Sequence, residues 1–155
     1  LISPTEFIPA LEATDSIATV GWWILRQACQ QLHLWQERYP TEVPLTVSVN
    51  LSSSQFAHPN LVPQLERILQ QTDLNPRNLR LEIPESAILS DIEFANQRVL
   101  ELKTSNVQLQ IDNLGIGYSF LSLLQRLPNR MCYEKFDRFS VDRSLINQID
   151  TDEES

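Results

Sequence analysis

Asn50, Glu82, Asp112 and Asp142 recur about thirty residues apart, each where a run of alternating apolar and polar residues ends. Asn, Glu and Asp offer hard oxygen donors, which suit Mg²⁺, Mn²⁺ or Ca²⁺ rather than zinc, whose protein ligands are mainly Cys and His. The densest chemistry lies in the stretch from Gln108 to Ser119. Val107, Leu109 and Ile111 alternate with polar residues, the pattern of a half-buried strand over 107–111. Asp112 and Asn113 place two oxygen-bearing side chains where that strand is expected to stop. Gly115 and Gly117, two of the chain's three glycines, follow at once and free the backbone for an unusual path. His33, in mid-helix, and His58, in a loop, lie away from strand ends, so imidazole chemistry is not expected. Taken singly, Asn50, Glu82 and Asp112 would be strand-end caps or turn formers. Their repetition at one register in three consecutive units favours a shared site.

The elements that must position these residues follow from periodicity. A short helix is expected within residues 1–15, after Pro4. From Ile17 to about Glu37, the apolar positions Ile17, Val20, Ile24, Leu25, Ala28, Leu32 and Trp35 recur at helical spacing, and Tyr39-Pro40 ends the run. Trp22, Trp23 and Trp35 are expected to serve helix packing. Further helices are expected at 59–71, with Leu61, Leu65, Ile68 and Leu69 inward, at 91–103, at about 119–126, and from near Arg143. Strands are expected at 45–49, at 79–83 up to Pro84, at 107–111 and at 138–141, before an acidic tail from Asp150 to Ser155. A helix followed by four strand–helix units implies parallel strands with right-handed crossovers, an α/β fold. The carboxyl ends of such strands face one way, and ligands bind there. The four oxygen-bearing residues should therefore meet on one rim.

Composition sets the outer limits. The 155 residues suffice for one domain with a sizeable core, and 42% hydrophobic with 21% charged residues is ordinary for a globular chain. A net charge of -8 argues against DNA or RNA as a partner. A small anionic ligand stays open, because a divalent ion neutralises phosphate locally. Cys29 and Cys132 are too few and too dispersed for a disulfide scaffold, which suggests a reduced, intracellular setting. No apolar run reaches the length of a membrane span, so direct membrane insertion is not expected. No signal-peptide pattern opens the chain. It starts without Met, as a piece of something longer would.

Several segments, in order, resemble the EAL domains, the cyclic di-GMP phosphodiesterase domains of bacterial signalling proteins. They are Glu6-Phe7-Ile8-Pro9, Val47-Ser48-Val49-Asn50-Leu51-Ser52, Leu81-Glu82-Ile83-Pro84-Glu85-Ser86, the stretch from Asp112 to Ser119, and Val141-Asp142-Arg143-Ser144. The resemblance covers roughly residues 5–150. It implies a TIM-like (β/α) barrel, here a partial one with about four parallel strands, and a rim that binds Mg²⁺ or Mn²⁺. Two metals there would activate water for in-line hydrolysis of one phosphodiester, giving linear pGpG. It also implies a bacterial cytoplasmic setting, and a homodimer or contact with other signalling domains. By position, Asn50, Glu82 and Asp112 match the family's metal ligands, and Gly115 to Ser119 its loop for metal positioning and dimer contacts. Tyr118 and Arg143 are the nearest candidates for holding a guanine base.

The departures from the family pattern are as specific. Asn113 stands where the family has a second aspartate, Pro84 where it has a threonine, and Ile116 where it has Thr or Ala. Ser140 stands where it has a lysine, and a serine has neither that charge nor that reach. Arg130 to Phe136 resembles an insertion, and Lys135 has the wrong spacing to replace the lysine. The family's Glu-Ala-Leu signature should precede residue 1, and its barrel should continue past residue 155, so 1–155 reads as a partial EAL domain. The expectation is a degenerate, non-hydrolytic module that binds ligand or partner. An active phosphodiesterase completed by residues outside the chain is the first alternative, and a structural or dimerisation fragment without ligand the second.

Overall fold

The alternating runs become four parallel strands, β1 (Val47–Asn50), β2 (Leu79–Pro84), β3 (Gln108–Leu114) and β4 (Arg138–Val141), joined in one sheet in the order β1-β2-β3-β4. The structure, a computed structural model, describes residues 16–114 and 136–141 together with Ser3, Glu6, Ala10, Leu11 and Thr14. Between and before the strands lie α1 (Ser16–Arg38), α2 (Ser53–Ala57), α3 (Leu61–Thr72), a 3₁₀ turn (Pro76–Asn78), α4 (Glu85–Leu89) and α5 (Ile92–Thr104). Long crossovers between neighbouring parallel strands are what a strand–helix repeat requires. The first short helix is seen only as helical backbone at Glu6, Ala10 and Leu11. The helices expected near 119–126 and after Arg143 lie outside the described residues, as does Cys132.

One face of the sheet is apolar and carries the core. Val49, Leu79, Leu81, Ile83, Leu109 and Ile111 are buried there, with Leu25, Cys29 and Leu32 of α1, Leu61, Leu65, Ile68 and Leu69 of α3, and Ala95, Val99 and Leu102 of α5. The i, i+3, i+4 stripes of α3 and α5 lie inward as their spacing predicts. Burial pushes the Cys29 thiol up to about 11, so it stays protonated and unreactive at neutral pH. The opposite face carries Ser48, Asn50, Arg80, Glu82, Gln108, Gln110 and Asp112, all half-buried or exposed. An apolar outer face and a polar inner face are what the wall of a (β/α) barrel presents.

Four expectations need correction. The strand expected at 45–49 begins at Val47 and runs to Asn50, because its partner β2 begins at Leu79 opposite Val47, after a 3₁₀ turn; the Leu45 carbonyl accepts from the Gln36 side chain at 2.7 Å instead. β2 includes Pro84, which pairs with Asp112; as the last strand residue it needs no N–H for the ladder. β3 continues through Leu114, so Asp112 and Asn113 lie within the strand and not in the turn after it. Pairing with β4 extends it, through a register irregularity between Ile111 and Leu114. Packing accounts for Trp22 but not for Trp23 and Trp35, which are 63% and 48% exposed. α1 buries only the narrow stripe Leu25, Cys29 and Leu32, and Ile24 also falls outside it.

Three short elements were not expected, though two carry sequence signals. α2 opens with a capping box in which Ser52 and Gln55 satisfy each other's backbone N–H groups. The 3₁₀ turn has Asn75 as its cap and Pro76 as its first residue. α4 starts directly after Pro84 without a side-chain cap. Gln55 also bears on the third glycine: a Cβ at Gly21 would run into the end of the Gln55 side chain and push it away from the Ser52 N–H it accepts from in the capping box.

Candidate functional site

Strand register sets the inner face out in rows. The lowest joins Ser48, Arg80 and Gln108; the next joins Asn50, Glu82, Gln110 and Arg138; above it Pro84 faces Asp112. Strands lie about 4.8 Å apart and rise about 3.3 Å per residue, so Asn50 and Glu82 are direct neighbours, with Asp112 on a diagonal about 8 Å from Glu82. All three side chains share one face. Ser140 reaches the upper row, where its Oγ donates to Asp112 Oδ1 at 2.5 Å and to the Ile111 carbonyl at 3.4 Å. Gln110 pairs with Arg138 and Ile111 with Phe139, so Ser140 comes next to Asp112 just where the register turns irregular.

The structure thus places Asn50, Glu82, Asp112 and Ser140 together. Asn113 lies on β3, but its side chain is outside the described residues, as are Tyr118, Asp142, Arg143 and the loop from Gly115 to Ser119. Asn50, Glu82 and Asp112 form a hard-oxygen set that fits Mg²⁺ or Mn²⁺ in kind. The set is weakly charged, with two carboxylates, and one Asp112 oxygen is already engaged by Ser140. Among the described residues, no three His, Cys, Asp or Glu side chains come together to hold a metal.

Below the site, a polar network braces the sheet. Arg80 donates to Gln108 Oε1 through Nη2 at 2.7 Å and Nε at 3.2 Å, and to Ser48 Oγ at 3.3 Å. Gln108 in turn donates to the Arg77 carbonyl at 2.7 Å. These bonds span β1, β2 and β3, and hold Asn50, Glu82 and Gln110 level one row above.

A second brace sets β4, and sequence reading missed it. Asp137 Oδ2 accepts from the Leu109 backbone N–H at 2.7 Å and from Lys103 Nζ at 2.6 Å, while the Asp137 N–H donates to the Leu109 carbonyl at 2.8 Å. Residues 34 positions apart meet here, so no local pattern announces the contact. Burial raises the Asp137 carboxyl, but the Lys103 bond, the Leu109 N–H and the Lys103 charge outweigh it and hold the group below the usual carboxylate range. A lowered folded-state value adds stability above the unfolded Asp value of about 3.9, and that contribution is lost as pH falls through the folded value. The pair is partly exposed, 30% at Lys103 and 41% at Asp137, so its contribution is small. We expect Asp137→Asn to cost about 0.5–1 kcal/mol at pH 7 in urea unfolding, with the difference from wild type closing below about pH 4. A difference that stays constant down to pH 3 would remove the ionic contribution.

The comparisons with known proteins agree with this geometry. The family described as "EAL domain" matches residues 1–155. MucR of Pseudomonas aeruginosa, named a bifunctional diguanylate cyclase/cyclic di-GMP phosphodiesterase, is 35% identical over 149 residues, which is 96% of this chain and 20% of MucR. The solved "PaMucR Phosphodiesterase, c-di-GMP complex" superposes with a TM-score of 0.79 at 34% identity, over 96% of this chain and 56% of that one. The EAL enzyme Bd1971, in its cAMP and cyclic-di-GMP bound form, gives 0.79 at 27% identity, over 99% of this chain and 40% of that one. The chain therefore spans a fifth of that curated relative and about half of the solved ones. Its four parallel strands are part of the TIM-like barrel that those EAL structures share. With the family matched from end to end, and the strand order, register and polar inner face all agreeing, this chain belongs to the EAL domain family.

Proposed function

We propose that this chain binds cyclic di-GMP on the rim formed by β1, β2 and β3, and does not hydrolyse it. The observation that carries this reading is the contact between Ser140 and Asp112. A neutral hydroxyl stands beside Asp112 where the family places an ammonium. Asn113 is neutral where the family has a second aspartate. Charge developing on a phosphodiester in the transition state is then met by fewer fixed partners, and losing one such partner commonly costs about 10²–10³-fold in rate.

Asn50, Glu82 and Asp112 would hold a Mg²⁺ or Mn²⁺ ion, which when bound would neutralise a phosphate oxygen and supply an activated water. Among the described residues the charged ligands would be two carboxylates, Glu82 and Asp112, which would hold the ion weakly. Ground-state binding needs less: oxygen donors and hydrogen bonds on one polar face suffice to seat a dinucleotide. The cyclic di-GMP complexes of MucR and Bd1971 support cyclic di-GMP as the ligand. We read residues 1–155 as a single unit of a longer barrel, and its protein partner as another signalling domain or a second copy of the chain.

The activity for which MucR is named favours a second reading, an active phosphodiesterase yielding pGpG. Incubation of the purified chain with cyclic di-GMP and Mn²⁺, followed by chromatography, separates the two. We expect binding by calorimetry, abolished in Glu82→Ala, with no pGpG above the blank. Steady pGpG release at a rate typical of enzymes, on the order of 1 s⁻¹, would establish the second reading.

A further inference from the structure

We infer that Arg138 anchors a phosphate of the bound nucleotide, so that binding does not require a divalent ion. The row containing Asn50, Glu82 and Gln110 ends at Arg138, which pairs with Gln110 across β3 and β4. Ser140 reaches Asp112 on the inner face, so Arg138, two residues earlier on the same strand, lies on that face too. The charge absent at Ser140 is thus present one row lower, on a side chain long enough to rise toward the rim.

The two inner-face arginines differ in what they have left to offer. Arg80 spends its donors on Gln108 and Ser48. Arg138 is exposed, and among the described residues its side chain has no hydrogen bond or ion pair. A guanidinium presents five donors in a planar fork that grips phosphate in bidentate fashion, and it never loses its charge near neutral pH. Glu82 is two strands away, about 10 Å at the backbone, too far for a tight pair and near enough to weaken the field that would draw in a dication. The same charge that disfavours metal favours a phosphodiester. Oxygen donors at one end of the row and a guanidinium at the other suit a ligand with sugar or base hydroxyl and amino groups on one side and phosphate on the other.

This inference rests on the cyclic di-GMP reading above, and one experiment separates their fates. Cyclic di-GMP is titrated into the purified chain by calorimetry, in excess EDTA and in Mn²⁺, for wild type, Arg138→Ala, Arg138→Gln and Arg138→Lys. We expect wild type to bind equally well with and without EDTA, and Arg138→Ala to weaken binding about 10- to 100-fold. Arg138→Gln keeps the stem and an amide while removing the charge, and should lose as much; Arg138→Lys should recover part. Unchanged circular dichroism and melting confirm that the variants fold, as expected for an exposed position. If wild type binds but both neutral variants match it, or if EDTA abolishes binding, the inference fails while the nucleotide reading stands. If wild type does not bind at all, the reading fails and the inference with it.

Discussion

Asn113→Asp together with Ser140→Lys should raise cyclic di-GMP hydrolysis by at least about 10²-fold over the unmodified sequence. The fair setting is a chimera in which this chain replaces the segment of the MucR phosphodiesterase that it matches, since it covers 56% of that solved chain. In that chimera the remainder of the barrel is common to both sequences, and only the two positions differ. Ser140→Lys puts an ammonium beside Asp112 in place of the neutral serine hydroxyl. Asn113→Asp restores a negative charge on the neighbouring β3 position. In the family's pattern both positions serve one metal centre, so each alone should give much less than the pair. pGpG release in Mn²⁺ is the readout. A silent double variant that still binds nucleotide would show that these two charges are not what disables the site.

Leu81→Ala should cost about 2–5 kcal/mol in urea unfolding, the largest stability loss expected of a single core truncation here. Leu81 is 0% exposed, at the middle of β2, with β1 pairing on one side and β3 on the other. A cavity there cannot close without moving two ladders, which puts the cost toward the upper end of that range. Arg80 and Glu82 flank Leu81 and point to the opposite face, so loosening β2 also misplaces a brace and the carboxylate of the proposed site. Nucleotide affinity should fall along with stability. Trp23→Ala is the control: at 63% exposure it should change stability by no more than about 0.5 kcal/mol. Equal losses from both would mean that the apolar face of the sheet is not the core.

Much of the frame was legible because it rests on short-range periodicity. Leu61, Leu65, Ile68 and Leu69 declare one face of a helix, and Leu79, Leu81 and Ile83 one face of a strand, whatever surrounds them. Where the reading failed, a distant partner had intervened. β3 outruns its alternating stretch because β4 pairs with it, and β1 starts late because β2 offers it a ladder only from Leu79 on. Trp23 and Trp35 looked like packing residues since helical spacing reports a hydrophobic side chain without reporting which part of the helix a sheet will cover.

The candidate site divides the same way. Residue types and their thirty-residue recurrence by themselves determined that oxygen donors would gather on parallel strands, and family resemblance marked Asn113 and Ser140 as departures. Only the tertiary structure decided that Asn50 and Glu82 share a row, that Ser140 bonds to Asp112, that Asp137 ties β4 to β3, and that Arg138 closes the row with an unspent charge. The physical reason is register. A one-residue slip between strands turns every side chain to the other face, and register is set by contacts between residues far apart in the chain, which no local pattern encodes.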